Sequence, residues 1–405
     1  VARRARRQRR AHLRDGELTA VAASDTSVVV RAAAVLGLVW FGDALIYVVL
    51  PLHAEAFGIG LGMVGVALAL NRIVRIVGYG WVAALHRRLG LRALTASAAL
   101  GAALSTLGYG LALGLLPLLV ARLMWGFAYG VLNVTTTAYA IGDGQGAGRR
   151  VGLNRAVGTV GPALALSAGA WLAVALGPRE AFLVLGALGL VAVPLALTLP
   201  REVAAASPAG RPGTTRWRPS SLNGLFFAVS AGDGAFGMTL SLLLAGSLTL
   251  SSALLAAGLL LALQRVAVVI LSLVAGPLID RVGARRLLTP CVALVVLGLV
   301  GIAHGVVYPG AVVVVVARAF LASVGPVLAT QERSGTTVER LSAFATWVDS
   351  GLAVGPLFGG FVVARLGLSV LYDALAVIIA GALIAHRLAR RPSVVRDVDG
   401  SPLAP

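Results

Sequence analysis

Two stretches of this 405-residue chain are versions of one another: residues 68–95 read LALNRIVRIVGYGWVAALHRRLGLRALT and residues 261–289 read LALQRVAVVILSLVAGPLIDRVGARRLLT. Each carries an arginine four residues after its first leucine, so Arg72 and Arg265 are counterparts 193 residues apart, close to half the chain. Both copies lie in apolar runs long enough to cross a bilayer, which takes about 20 helical residues. A repeat at this period divides the chain into two related halves. Other landmarks recur in the same order: Asp43 with Asp233, Arg122 with Arg318, and Gly161-Pro162 with Gly355-Pro356, at offsets of 190, 196 and 194. Between the halves, residues 201–221 (REVAAASPAGRPGTTRWRPSS) supply proline, glycine, serine and charge and read as a linker.

The chain is 58% hydrophobic and 12% charged, more apolar surface than a water-soluble globule of this length can hide. The apolar runs are continuous and do not alternate with period two, which argues against a β-barrel. Twelve spans are predicted, at roughly 31–52, 60–85, 93–112, 115–141, 153–176, 180–199, 221–247, 252–278, 287–307, 310–330, 343–364 and 369–386. The 50 glycines suit helices that pack backbone to backbone in lipid.

A net charge of +18 raises the question of nucleic acid, and the placement of the charge answers it. All 34 basic residues are arginines, and 26 of them fall in tails and loops on the side of the N-terminus; only Arg179 and Arg365 fall in loops on the other. Such a bias orients a membrane protein and places both termini in the cytoplasm, here of a bacterial plasma membrane, with no nucleic-acid partner. The predicted organisation is a disordered basic tail (1–30), an N-terminal six-helix bundle (31–200), a cytoplasmic linker (201–220), a C-terminal six-helix bundle (221–386) and a second tail (387–405). Cys291 is the sole cysteine, so no intramolecular disulfide is possible, and it reads as a small core hydrophobe.

The segment from Gly276 to Arg286, GPLIDRVGARR, resembles the loop signature of the major facilitator superfamily, a glycine followed by DRxGRR between the second and third helices of a half. Gly276, Asp280, Arg281, Gly283 and Arg285 carry the match, while the N-terminal counterpart keeps Gly90 and Arg92 and has Arg87 in place of the aspartate. Arg122 to Gly126 (RLMWG) is similar to the family's fourth-helix pattern. Gly351-x3-Gly355-Pro356-x2-Gly359-Gly360 resembles the pattern of the family's exporters, here in the eleventh span instead of the fifth. The resemblance runs from about residue 31 to 386. It implies an all-α fold of 12 transmembrane helices in two pseudo-symmetric six-helix bundles, working as a monomer by alternating access. It also implies that Asp280 acts with neighbouring arginines and a helix N-terminus as part of a gate.

Ionisable groups at membrane depth are costly and therefore point to function. Asp43, Arg72, Asp233 and Arg265 each lie about twelve or thirteen residues into a predicted span, roughly 18–20 Å along the helix. In the family fold these spans surround one space, so Asp43–Arg72 and Asp233–Arg265 are expected to pair. The pairs are either fixed salt bridges within each half or sites where cargo or a proton competes for the partner. Arg75, one turn after Arg72, adds positive charge and favours a cargo with an anionic or carbonyl-rich group. Arg122, Trp125, Tyr129 and Asn133 recur at near-helical spacing, either as a ligand-binding stripe or as helix packing. Arg155 and Asp349, 194 residues apart and opposite in sign, are either a bridge between the halves or two separate interfacial charges.

These readings assign cargo binding to Arg72, Arg75, Arg265, Trp125, Tyr129 and Asn133, proton coupling to Asp43, Asp233 and Arg122, and gating to Arg155, Asp349, Gly276, Asp280, Arg281, Gly283, Arg285, Gly355 and Pro356. The function expected is proton-coupled export of a small amphiphilic organic molecule, with the proton gradient as driving force and no metal or organic cofactor. The alternatives are uptake or exchange of an organic or inorganic anion through Arg72 and Arg265, and a membrane sensor that no longer turns over. A membrane enzyme acting on lipid-linked substrates is disfavoured, because the five histidines show no metal-ligating spacing.

Overall fold

The computed structural model describes residues 26–47, 49–50, 53–202, 219–245, 250–332 and 335–389. The expected N-terminal tail up to residue 25, most of the expected linker and the tail beyond residue 389 lie outside the described residues. In lipid a backbone finds no water to bond, so each apolar run satisfies its own N–H and C=O groups by winding into a helix. The first half comprises α1 (Thr26–Tyr47), α2 (Leu61–Leu111), α3 (Leu115–Ile141), α4 (Ala147–Leu164), α5 (Ala170–Leu176), α6 (Pro178–Gly189) and α7 (Ala192–Leu197). The second comprises α8 (Ser221–Ala245), α9 (Leu250–Val282), α10 (Ala284–Ala303), α11 (Val307–Thr330), α12 (Thr337–Leu366) and α13 (Leu368–Ala389).

Among the described residues eight helices are long and apolar enough to cross a membrane, and the chain departs from simple span reading at three places. α2 holds the second and third spans in one helical line that turns at Gly90, whose φ of 75° is left-handed. Gly283, its repeat counterpart between α9 and α10, has φ 93°. Only glycine takes this conformation without strain, which accounts for the glycine at this place in both copies of the loop. Glu202 closes the turn by accepting the Leu91 N–H at 3.2 Å. The fifth span is α4 joined to α5 through a π-helical turn at Ala165–Gly169, just past Pro162, whose missing N–H interrupts the α-helical ladder. The sixth is α6 and α7 in series.

Each half centres an apolar core that reaches into the other half: Val338, Leu341 and Ala345 join the first, and Val29, Ala140, Ile141, Ala147 and Val151 join the second. One gathers Val35, Leu45, Leu94, Trp125 and Phe182, and the other Phe226, Val292, Leu321, Phe344 and Tyr372. Glycine lets backbones touch at symmetric places. A Cβ on Gly161 of α4 would overlap the Gly37 carbonyl of α1, and a Cβ on Gly355 of α12 would overlap the Ala231 carbonyl of α8. Gly37 and Ala231, like Gly161 and Gly355, are 194 residues apart, so the same crossing is built twice. Pro356 continues it, packing its Cδ against Gly234.

Candidate translocation site

The membrane-depth acids find arginines other than those expected. Asp43 of α1 pairs with Arg122 of α3, and Asp233 of α8 pairs with Arg318 of α11. The two pairs are repeat-related. The expected Asp43–Arg72 and Asp233–Arg265 pairs do not form, and for Asp43 the reason is one of level. α1 starts at Thr26, so Asp43 stands seventeen residues up it and near its far end; Arg122, seven residues into α3 from that end, meets it, while Arg72 lies eleven residues into α2. Those four extra residues carry Arg72 about 6 Å deeper along its helix.

The two pairs differ in their surroundings. Arg122 is fully buried and Asp43 is 2% exposed. Beyond Asp43, the Arg122 guanidinium donates to the Ala67 carbonyl at 3.0 Å, the Leu68 carbonyl at 3.4 Å and the hydroxyls of Tyr47 and Tyr109 at 3.2 Å each. Tyr109 in turn donates to Asp43 at 3.3 Å. All the guanidinium nitrogens of Arg122 are thereby engaged, as a buried ion pair requires. Asp233 and Arg318 are 20% and 19% exposed, and among the described residues no tyrosine hydroxyl bonds either.

Polar contacts between the halves lie toward the end of the bundle that carries the arginine-rich loops. Along α2 and α12, Arg87 pairs with Glu339 at 2.8 Å, Tyr79 donates to Asp349 at 2.7 Å, Arg75 lies 3.4 Å from Asp349, and Arg72 donates to the Leu352 carbonyl at 2.9 Å. From Arg87 to Arg72 this seam covers about 22 Å of helix. Glu339 also closes a capping box with Thr336 at the start of α12, so one carboxylate both begins the helix and joins it to α2. Between α4 and α9, Asp280 accepts the Gly148 and Arg149 N–H groups at 2.8 Å each. A carboxylate on the first turn of a helix meets both free donors and the positive end of the dipole. Beneath it, Gly152 and Gly276 let α4 and α9 touch: a Cβ on Gly152 would overlap the Ser272 carbonyl, and one on Gly276 would stand 2.8 Å from the Arg149 Cα.

The expected Arg155–Asp349 bridge is therefore replaced by Asp349 with Tyr79 and Arg75. Arg155 shares with Asp349 a cavity of about 50 Å³ that Asn133, Thr137 and Phe344 also line. Among the described residues its Nε has no hydrogen-bond partner.

The expected stripe on α3 splits. Arg122 turns into its own half, Trp125 is 1% exposed in the core, and Asn133 faces the Asp349 cavity. Tyr129 is the meeting point: Trp40 of α1 packs edge-on at 4.9 Å, Trp125 lies at 6.0 Å, and the Arg75 guanidinium stands 4.8 Å over the ring. Arg155 and Arg265 also act on the Tyr129 phenol electrostatically. Arg265 is exposed and has no ion-pair partner among the described residues. Arg281 and Arg285 are exposed at the loop that Gly283 turns. Sequence reasoning passed over Tyr47, Tyr79, Tyr109 and Glu339. It also passed over Trp40, although Trp40 lies three residues before Asp43 and so on the same side of α1. No group of three metal-ligating side chains occurs among the described residues.

Residues 32–225 match the family model of the Major Facilitator Superfamily. No curated protein matches the chain in sequence. Among solved structures, the human organic anion transporter MFSD10 (TETRAN) is similar at TM-score 0.70 and 17% identity, over 90% of this chain and 99% of its own. FucP, the fucose:proton symporter of E. coli, is similar at TM-score 0.71 and 15% identity, over 90% of this chain and 98% of its own. The proton:xylose symporter XylE is similar at TM-score 0.68 and 14% identity, over 89% of this chain and 95% of its own. At such identities the likeness speaks for the fold, with cargo and coupling left to the site itself. The sequence match across residues 32–225 and the shared fold across nine-tenths of its length make the chain similar to the Major Facilitator Superfamily.

Proposed function

We propose that this protein is a secondary active transporter that moves a small amphiphilic organic molecule across the plasma membrane by alternating access, with proton-coupled export as its direction. The observation that carries this reading is the placement of the contacts between halves. Two cores, each centred in one half, meet through Val338, Leu341 and Ala345 of α12 and through Ala147 and Val151 of α4, and a polar seam of α2 against α12 and α4 against α9 runs toward the same end. Two rigid bodies joined at one end rock about the site between them. With the arginine-rich loops on the cytoplasmic side, that closed end faces the cytoplasm.

The charges around Tyr129 favour a cargo that carries an anionic group. Arg72, Arg75, Arg155 and Arg265 bring four cations to this region, and Asp349 balances one of them. Trp40, partly buried beside Tyr129, offers an aromatic surface to an apolar body. The alternative of anion uptake or exchange rests on the same arginines and differs in direction.

Both readings are tested in proteoliposomes under an imposed pH gradient, with radiolabelled aromatic carboxylates and quaternary ammonium compounds as probes. Gradient-driven movement of carboxylates is expected, outward from the cytoplasmic face for export. Movement of neither class refutes transport of small organic ions, and movement of the cations alone refutes the role given to the arginines.

A further inference from the structure

Asp349 differs from the other membrane-depth acids in what holds it. Asp43 and Asp233 are each paired within their own half, so a proton gained there leaves the contact between halves in place. Asp349 is on α12, and both groups that hold it, Tyr79 at 2.7 Å and Arg75 at 3.4 Å, are on α2 in the other half. It is 6% exposed, so the interaction is one in which charge counts heavily.

The groups around it are few. From α2 come Arg75 and Tyr79, with Arg72 on the Leu352 carbonyl one turn along; from α3 Tyr129; from α4 Arg155; and from α9 Arg265, which reaches Tyr129. The other ionisable groups of the helices packed on α12 are engaged elsewhere: Asp233 of α8 with Arg318 of α11, Asp373 of α13 beside His304, and His386 with Ser221. The cavity beside Asp349, about 50 Å³ and lined by Asn133, Thr137 and Arg155, has room for water and polar groups to hold it.

We propose that Asp349 is the acid through which a proton opens the arginine-rich end of the protein. A proton delivered by cavity water converts the carboxylate to a carboxylic acid, the ion pair with Arg75 is lost, and α2 separates from α12. When the end stands open, Asp349 returns the proton to the water on that side, and the carboxylate draws Arg75 and Tyr79 back. With the proton taken up from the far side while this end is closed, one proton crosses for each opening and closing. This rests on the alternating-access reading and assigns its coupling step to a residue between the halves, in place of Asp43 and Asp233 inside them.

The test uses spin labels on cysteines introduced at Arg88 and Arg286, exposed positions at the same end of opposite halves, in a Cys291→Ser background in lipid nanodiscs. Pulsed electron resonance gives the distance between labels from pH 8 to pH 5. The wild-type background is expected to gain a long-distance population as pH falls, and Asp349→Asn to show that population at every pH. Tyr79→Phe removes a donor that favours the ionised carboxylate and keeps Arg75, so its response should move to higher pH. Asp233→Asn should keep the wild-type response. An Asp349→Asn protein whose distances follow pH as the wild type's do overturns this proposal and leaves transport standing. So does loss of the response in Asp233→Asn. If no protein, the wild-type background included, changes its distances over this range, the alternating-access reading falls as well.

Discussion

Removing the Arg122 side chain tests whether the sealed pair in the first half is structural. In Arg122→Gln, Asp43 loses its cation and keeps the Tyr109 hydroxyl at 3.3 Å as its remaining donor, in a site 2% exposed. Breaking a buried pair from one side costs about 3–5 kcal/mol, because the surviving charge stays desolvated. The carbonyls of Ala67 and Leu68 add little to this, since both lie inside α2 and their helical partners remain. Set against a typical stability of about 5–15 kcal/mol, the loss is severe. Asp43→Asn/Arg122→Gln removes both charges and leaves two neutral groups able to hydrogen-bond, so it should recover about half of the loss. The assay is unfolding by sodium dodecyl sulfate in mixed micelles, read as a double-mutant cycle. Single variants within about 1 kcal/mol of wild type, or a double variant no better than the worse single one, would refute the reasoning. Arg318→Gln should cost less in the same assay, about 1–2 kcal/mol, because its pair is one-fifth exposed and water relieves part of the penalty.

Gly161→Ala and Gly355→Ala should each destabilise by about 1–3 kcal/mol and by similar amounts, since each Cβ meets a helix carbonyl at the same repeated crossing; thermal unfolding of the two variants side by side checks this. Gly152→Leu should hold the arginine-rich end apart, because the new side chain enters the space taken by Ser272 and Gly276; faster maleimide labelling of a cysteine placed in the Asp349 cavity at Thr137 is the expected readout. Asp280→Asn weakens two charge-assisted bonds to the start of α4, worth about 0.5–2 kcal/mol, and should raise the labelling rate at the same cysteine up to about thirtyfold.

The duplication, the apolar spans and the loop signature were legible because each is dictated by one-dimensional chemistry: span length by bilayer thickness, the loop glycine by a left-handed turn. Gly90 and Gly283 share that turn. Partnership was less legible. Sequence fixes how far along a helix a residue lies, to within a turn, and says little about which way it points around the axis. That is why Asp43 was assigned to Arg72, when Arg122 stands at its level on a helix that faces it. Asp349 was singled out by sign and offset alone, and its true partners, Arg75 and Tyr79, break the repeat symmetry on which that assignment relied. Tyrosines carry no formal charge, so a search for charges passed over the hydroxyls that make the first-half pair complete.

The rungs between α2 and α12 grade from wet to dry. At the tip, the side chains of Arg87 and Glu339 are 55% and 22% exposed, and an ion pair so placed contributes about 0–1 kcal/mol and weakens with salt. About three turns inward, the side chains of Asp349 and Arg75 are 9% and 11% exposed, so salt screens them far less. The seam should therefore fray readily at its mouth and resist at its inner rung. Raising ionic strength should loosen the lips without hastening full parting, which on the Asp349 proposal is timed by a proton and not by the surrounding electrolyte.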